Sequence, residues 1–210
     1  MMSLVMFDYD GVIVDSFDQV CSDFIKACSA YGFAIDEEGF NCLHDDNCYK
    51  AMKEQYGLSE GVIDAILQEY EEIAKKNLNF QVFEGMREAI KKIAQKHTVV
   101  VITSNISAYV REVLHNNGIT EFEDIVGADM EKSKIKKIRR AMEMYPFDKA
   151  YYIGDTAGDM IEGREAGAKT IAVTWGWHSA DRLKKTEPDY LVNTPEELAA
   201  LLCGVSVSME

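Results

Sequence analysis

Two carboxylates stand two positions apart, Asp8 and Asp10, in the stretch Phe7-Asp8-Tyr9-Asp10-Gly11-Val12-Ile13-Val14-Asp15-Ser16. The apolar run Leu4–Phe7 before them is short and bounded, like a buried strand. Residues i and i+2 of a strand share a face, so both acids would leave its carboxyl end close together. That end is where open α/β sheets place their ligands. Two carboxylates at ~4 Å and an effective dielectric of ~20 repel by roughly 4 kcal/mol. A hard divalent cation between them would remove the repulsion. Taken alone, the pair also suits a solvated, Asp-rich turn.

Three further clusters follow apolar runs or open helices. Thr103-Ser104-Asn105 comes directly after Val99–Ile102. A hydroxyl and a free backbone N–H at a helix start form a phosphate cradle, or a plain N-cap. Gly154-Asp155-Thr156-Ala157-Gly158-Asp159 follows Tyr151–Ile153, with Asp155 and Asp159 on one face of the next helix. They could cap that helix or hold a metal. Lys132-Ser133-Lys134 opens a Lys-rich helix. Cations there oppose the helix dipole, so one of them is expected to have another job. A solvated basic face suits most of Lys132, Lys134, Lys136, Lys137, Arg139 and Arg140.

The elements that must position these groups fall into two patterns. Ser16 is a candidate N-cap for a helix with Val20, Phe24 and Cys28 on one face, ended by Gly32. A second helix is expected from about Ser59 to Asn77, with shorter helical pieces over 36–56. Nothing between 17 and 80 reads as a strand. From Val82 on, helix and strand alternate: helices over 84–96, 106–117, 132–144, 157–167 and 195–203, strands over 98–102, 124–126, 150–153, 170–173 and 190–192. Such alternation predicts a parallel, doubly wound sheet.

The net charge of −14 excludes a basic nucleic-acid footprint. It also repels an anionic substrate, so a phosphate site must be locally positive through a metal, a lysine or helix N-termini. The five cysteines, Cys21, Cys28, Cys42, Cys48 and Cys203, include no CxxC pair. A reduced, cytoplasmic protein is expected. No apolar run approaches a membrane span, and the acidic stretch begins too near Met1 for a secretory signal.

In chain order the clusters read Asp-x-Asp, Ser-Asn, Lys, Gly-Asp-x-x-x-Asp. That series resembles the haloacid dehalogenase-like superfamily of phosphotransferases over nearly the whole chain. Phe7–Ser16 and Val173-Thr174-Trp175-Gly176 are most similar to its phosphoglycolate phosphatase-like subgroup. The resemblance implies a Rossmann-like α/β core formed by residues 1–16 and 81–210, with an all-helical cap domain at 17–80. It implies a Mg²⁺-dependent phosphatase, monomeric or homodimeric. The substrate would be a small phosphorylated metabolite, phosphoglycolate-like or a sugar phosphate. Asp8 would be the nucleophile and Asp10 the general acid and base. Ser104 and the Asn105 N–H would hold the phosphoryl group, with Lys134 offsetting its charge. Mg²⁺ would sit on Asp8, the Asp10 carbonyl and Asp155, supported by Asp159.

The chain departs from the superfamily pattern in two places. No Pro follows a Lys in the third cluster, which leaves Lys132 as an alternative to Lys134, and the usual Pro-Gly after the cap is Glu84-Gly85. Within the cap, His44, Asp45, Asp46 and Asn47 sit where relatives keep substrate-selecting residues. Cys42, His44 and Cys48 match no common zinc spacing. Trp175 and Trp177 could be packing or rim residues. Other readings are a phosphosugar mutase of the β-phosphoglucomutase type, whose closed cap excludes water, and a non-catalytic regulatory scaffold. A dehalogenase would not need the second Asp and a metal.

Overall fold

In the computed structural model, which describes residues 2–76 and 79–204, the apolar runs become strands of one sheet. The chain begins β1 (Ser3–Phe7), β2 (Val14–Asp15), α1 (Phe17–Ala30), α2 (Glu37–Leu43), α3 (Cys48–Glu54), α4 (Glu60–Ala74) and β3 (Gln81–Val82). It continues α5 (Met86–Ala94), β4 (Thr98–Ile102), α6 (Ser107–Asn116), β5 (Asp124–Val126), α7 (Lys134–Met144) and β6 (Lys149–Gly154). It closes with α8 (Ala157–Ala166), β7 (Lys169–Val173), α9 (Ala180–Lys184), β8 (Tyr190–Val192) and α10 (Pro195–Cys203).

Six strands lie in the order β5-β4-β1-β6-β7-β8, every neighbouring pair parallel. Alternate residues face opposite layers. Val5, Phe7, Val99 and Val101 pack with Met86, Ile90, Val110 and Leu198 of α5, α6 and α10. Leu4, Met6, Val100 and Ile102 pack with Ile138 of α7 and Ala166 of α8. Both faces are covered, which is why these strands are apolar throughout. β1 sits where strand order reverses, between β4 and β6, and ligand crevices form outside the carboxyl ends at such a point.

The helices α1–α4 bury a core of their own around Phe24, Phe40, Leu43, Met52, Ile63 and Ile66. Gly32, at φ +72, ends α1, and Ser59 caps α4 by accepting from Val62 N. Ser16 stands at the N-cap of α1 but makes no side-chain cap bond. Its hydroxyl is buried instead, close enough to Asp10 to favour that carboxylate's charged form. The sequence reading missed β2 and β3, which pair antiparallel through Val14↔Val82 and Asp15↔Gln81. This ribbon carries both connections between the four helices and the sheet. It also missed α9, a five-residue helix capped by Ser179. Asn77, the expected end of α4, lies outside the described residues. Among the described residues no helix is long and apolar enough to cross a membrane.

Candidate active site

The ladder of β1 runs one residue past the strand, Asp8 N–H donating to Ile153 O at 2.9 Å. Asp8 is thus fixed at the sheet's carboxyl edge and is 5% exposed. Its Oδ1 accepts from Tyr9 N at 2.8 Å and its Oδ2 from Lys134 Nζ at 2.7 Å. The same Nζ donates to Asp159 Oδ1 at 2.7 Å. Lys134 is the first residue of α7, where a cation opposes the helix dipole. The two carboxylates offset that cost. Lys132 lies outside the site, exposed and 3.2 Å from Asp64 of α4.

Asp155 follows β6. Its Oδ2 accepts from Trp177 N at 2.7 Å, and its Oδ1 is buried with no partner. Gly11, at φ +73, and Gly176 close over it, and a Cβ at either would overlap the carboxylate. Asp159 caps α8 in a capping box: Oδ2 accepts from Thr156 N at 3.2 Å and Oγ1 at 2.7 Å. Its Oδ1 also accepts from Tyr152 OH at 3.1 Å. Oxygens of Asp8, Asp155 and Asp159 lie within 4.8 Å of one another. Hard oxygens at that spacing suit a small divalent cation. Both Asp159 oxygens are already engaged, so its first work is to seat Lys134. The unpartnered Asp155 Oδ1 is the freest ligand.

Asp8, Asp10, Ser104, Lys134 and Asp155 line a cavity of about 70 Å³ together with His44 and Trp177. A larger groove of about 310 Å³ runs beside the ribbon, between Asp15, Gln19 and Phe80. Its lining includes none of Asp8, Asp10, Asp155 and Asp159, and no basic side chain.

Three site expectations need correcting. The Asn105 N–H is not free: it donates to Thr103 Oγ1 at 2.9 Å, so the hydroxyl before it has closed the turn. Lys137 is not on a solvated face. It is fully buried, and its Nζ donates to Thr103 O, tying α7 to the loop that carries Ser104. Its signal was available, since Lys137 lies one turn from Lys134 beside the core residue Ile138.

Of the four polar residues expected to select substrate, only His44 reaches the cavity. Asp45 and Asn47 hold their segment to the sheet side, and Asp46 pairs within it. Asp45 forms a fork with Arg182 of α9, Nε to Oδ1 at 2.6 Å. Asp46 pairs with Lys50 at 2.6 Å, and Asn47 Nδ2 donates to Glu162 of α8 at 2.9 Å. His178, fixed by Ala157 N–H on Nδ1, donates from Nε2 to Asn41 O at 3.1 Å. Gly158 N–H donates to His44 O at 3.0 Å. Trp175 is a packing residue bonded to Val12 O at 3.1 Å, whereas Trp177 lines the cavity.

Residues 5–173 match the family model of haloacid dehalogenase-like hydrolases. The chain belongs to that family. Among its relatives, the probable phosphatase IndB of Dickeya dadantii is 30% identical, over 94% of this chain and 92% of that protein. The phosphoglycolate phosphatase of Synechococcus elongatus is 25% identical, over 94% of this chain and 95% of that one. The solved structure of a predicted phosphatase from Clostridium acetobutylicum superposes with a TM-score of 0.84 at 24% identity, covering 97% and 99% of the two chains. The likeness in structure is one of fold.

Electrostatics in this haloacid dehalogenase-like hydrolase set its carboxylates apart. Burial pushes the Asp8 carboxyl up to about 7, against the pull of Lys134. Burial, with Asp159 and Asp8 nearby, lifts Asp155 well above the usual carboxylate range. Burial also raises Asp10, opposed by Ser16, Lys134 and Asn105. Asp159 is buried as well, but Lys134 and Thr156 hold it below the ordinary value.

A group raised on folding stabilises the protein below its unfolded pKa, and that contribution is lost as pH rises through the folded value. For Asp8 the window runs from the ordinary 3.8 to about 7. Metal-free protein is therefore expected to melt at progressively lower temperature between acid and neutral pH, by at most about 1.4 kcal/mol per pH unit for each such group. Added Mg²⁺ should restore the neutral-pH midpoint. Thermal melts in EDTA that stay flat across the window would contradict the burial assigned to Asp8 and Asp155.

Proposed function

We propose that the protein is a Mg²⁺-dependent phosphatase acting on a small phosphorylated metabolite through an aspartyl-phosphate on Asp8. One observation carries the reading. The Asp8 carboxylate is oriented by Tyr9 N and Lys134 Nζ toward a small chamber that also receives Asp10, Ser104 and Asp155. Phosphatase relatives at 30% and 25% identity over nearly the full chain support it.

In this reading Asp8 attacks phosphorus and the bond to the leaving oxygen breaks. That oxygen takes the proton of the Asp10 carboxyl, whose raised pKa keeps a proton available. Asp10, now a carboxylate, removes a proton from water, and the hydroxide formed attacks the phosphorus. The bond to Asp8 breaks, releasing phosphate and restoring the free carboxylate. Ser104 and Lys134 hold the phosphoryl oxygens, and Asp159 keeps Lys134 in place. Asp8 and Asp155 would hold Mg²⁺, with the Asp10 carbonyl, and the unpartnered Asp155 Oδ1 fits that use. Bound there, the ion supplies charge stabilisation to the phosphoryl oxygens.

Residues 17–80 serve in this reading as a cap over a core of residues 1–16 and 81–210, with their own hydrophobic core and the ribbon as hinge. The docked cap leaves about 70 Å³, far below the ~300–1,000 Å³ of ordinary ligand pockets.

Phosphate release from p-nitrophenyl phosphate and a panel of phosphorylated metabolites tests the reading. Activity is expected to vanish in excess EDTA, return with Mg²⁺ and fall when Ca²⁺ competes. Ca²⁺ takes more ligands at longer distances and would disturb in-line attack by Asp8. Full activity in EDTA would remove the metal from the proposal.

A further inference from the structure

Resting on the phosphatase reading, we infer that Trp177 and His44 select the leaving group, and that the group they select is neutral and bears a hydroxyl. The indole N–H donates to that hydroxyl, and His44 Nε2 accepts from it.

Trp177 Nε1 is buried and has no acceptor, although its residue lines the reaction chamber. A buried donor left unsatisfied costs about 1–3 kcal/mol unless a ligand or water completes it. Its place fits a ligand. A Cβ at Gly11 would lie 2.8 Å from Trp177 Cδ1, so the pyrrole edge stands next to the residue that follows Asp10. Asp10 is the group that protonates the leaving oxygen in the proposed reaction, so a leaving group must pass this edge.

His44 offers the complementary function. Its Nδ1 lies 2.9 Å from Phe40 O, and a carbonyl only accepts, so Nδ1 carries the hydrogen. Nε2 is then a lone pair. Burial holds the ring's pKa down to about 4, so the lone pair persists at neutral pH. Contacts with Phe40 and Trp177, at centroid distances of 4.7 and 5.0 Å, fix the imidazole plane. One donor and one acceptor on two adjoining rings match a hydroxyl, which both accepts and donates.

A carboxylate matches poorly. It accepts only, and it would meet the His44 lone pair. Among the described residues of the helical segment no cation lines the chamber: Lys50 is held by Asp46 at 2.6 Å and Lys53 by Glu60 at 2.6 Å. Arg182 is held by Asp45. Among the described residues, Lys134 is the one cationic side chain that lines the chamber, and it already serves Asp8 and Asp159. The substrate class is therefore a small polyol phosphate rather than a phosphorylated hydroxy acid.

The test compares kcat/KM for glycerol 3-phosphate, propyl phosphate and phosphoglycolate with saturating Mg²⁺. Propyl phosphate keeps the carbon chain and lacks the hydroxyls. Glycerol 3-phosphate is expected to exceed each of the others by about tenfold or more, since sites built around a substrate hydroxyl reject its deoxy analogue. Trp177→Phe and His44→Phe should each shrink the glycerol-to-propyl ratio by about fivefold or more. That follows if each removes one hydrogen bond. Equal rates on the first two esters, a preference for phosphoglycolate, or ratios untouched in folded variants would overturn the inference while leaving a phosphatase. If circular dichroism shows that a variant does not fold, the wild-type ranking decides. No phosphate release from any ester, p-nitrophenyl phosphate included, would sink the phosphatase reading and this inference with it.

Discussion

Asp8→Asn is expected to lower turnover by about 10⁴-fold or more, the scale on which enzymes lose activity with their nucleophile, while the protein stays folded. The carboxylate accepts on both oxygens, from Tyr9 N and from Lys134 Nζ. An amide has one oxygen and can satisfy only one of these donors, at a cost of about 1–3 kcal/mol. Against that stands a relief. Asp8 is nearly fully buried, and burial drives its pKa up to about 7, so at neutral pH the folded state carries a strained charge that the amide lacks. The two effects oppose each other, and in metal-free buffer near pH 7 the melting temperature should move little. Calorimetry beside a phosphate-release assay checks both halves. Undiminished turnover would remove Asp8 as nucleophile. Lost activity with a collapsed fold would show only that the position is structural.

The second large effect is expected at Lys134, and it is one of stability. Its ammonium bridges Asp8 and Asp159 at 2.7 Å each with the side chain 12% exposed. Lys134→Met would leave two buried carboxylates facing each other without a cation. Breaking a buried pair costs about 3–5 kcal/mol, or roughly 6–20 °C of melting temperature in a chain of this size. The sign of the pH dependence identifies the cause. Lys134 is held well above its ordinary pKa by Asp159 and Asp8, against burial, so its stabilisation is present throughout the neutral range. The deficit of Lys134→Met should therefore be largest at neutral pH and shrink toward pH 4–5, as the orphaned carboxylates take up protons. Mg²⁺ should recover part of it. A deficit identical at pH 5 and pH 8 would assign the loss to packing of the lysine stem. Turnover should fall as well, by at least about 10²-fold, if the ammonium touches the transferring group.

The strands were readable in advance because burial on both faces writes an unbroken apolar run, as in Val99–Ile102. The acids were readable because each stands immediately after such a run. It was the family resemblance that brought Asp8 and Asp155 together, and the pairing of β1 with β6 gives the reason. What escaped has a common cause. A two-residue ribbon such as β2 with β3 has no period to detect, and neither does a helix as short as α9. The partners of Asp45 and Asn47 could not be foreseen either. Arg182 lies 137 residues from Asp45, and Glu162 lies 115 from Asn47. A polar run beside a presumed site suggests ligand contact, yet most of this one is used in docking. Lys137 was misread for the opposite reason. A charged residue in a basic helix looks solvated until its long stem is seen to carry the amine to Thr103 O.

The ribbon has a bearing on how such a chain could change over generations. Asp15 and Gln81 are paired neighbours, so the four helices leave the sheet and return to it at nearly one point. To the sheet, everything between them is a single excursion whose ends already touch. Exchanging that excursion for another of different length alters the closure entropy only logarithmically, about 0.6 kcal/mol per doubling. Neither Asp8 nor Asp155 would shift, because each is anchored by the backbone of the parallel strands. In the proposed reading, a lineage can exchange His44 and the helices that carry it without moving Asp8 or Asp155, while Trp177 stays with the sheet.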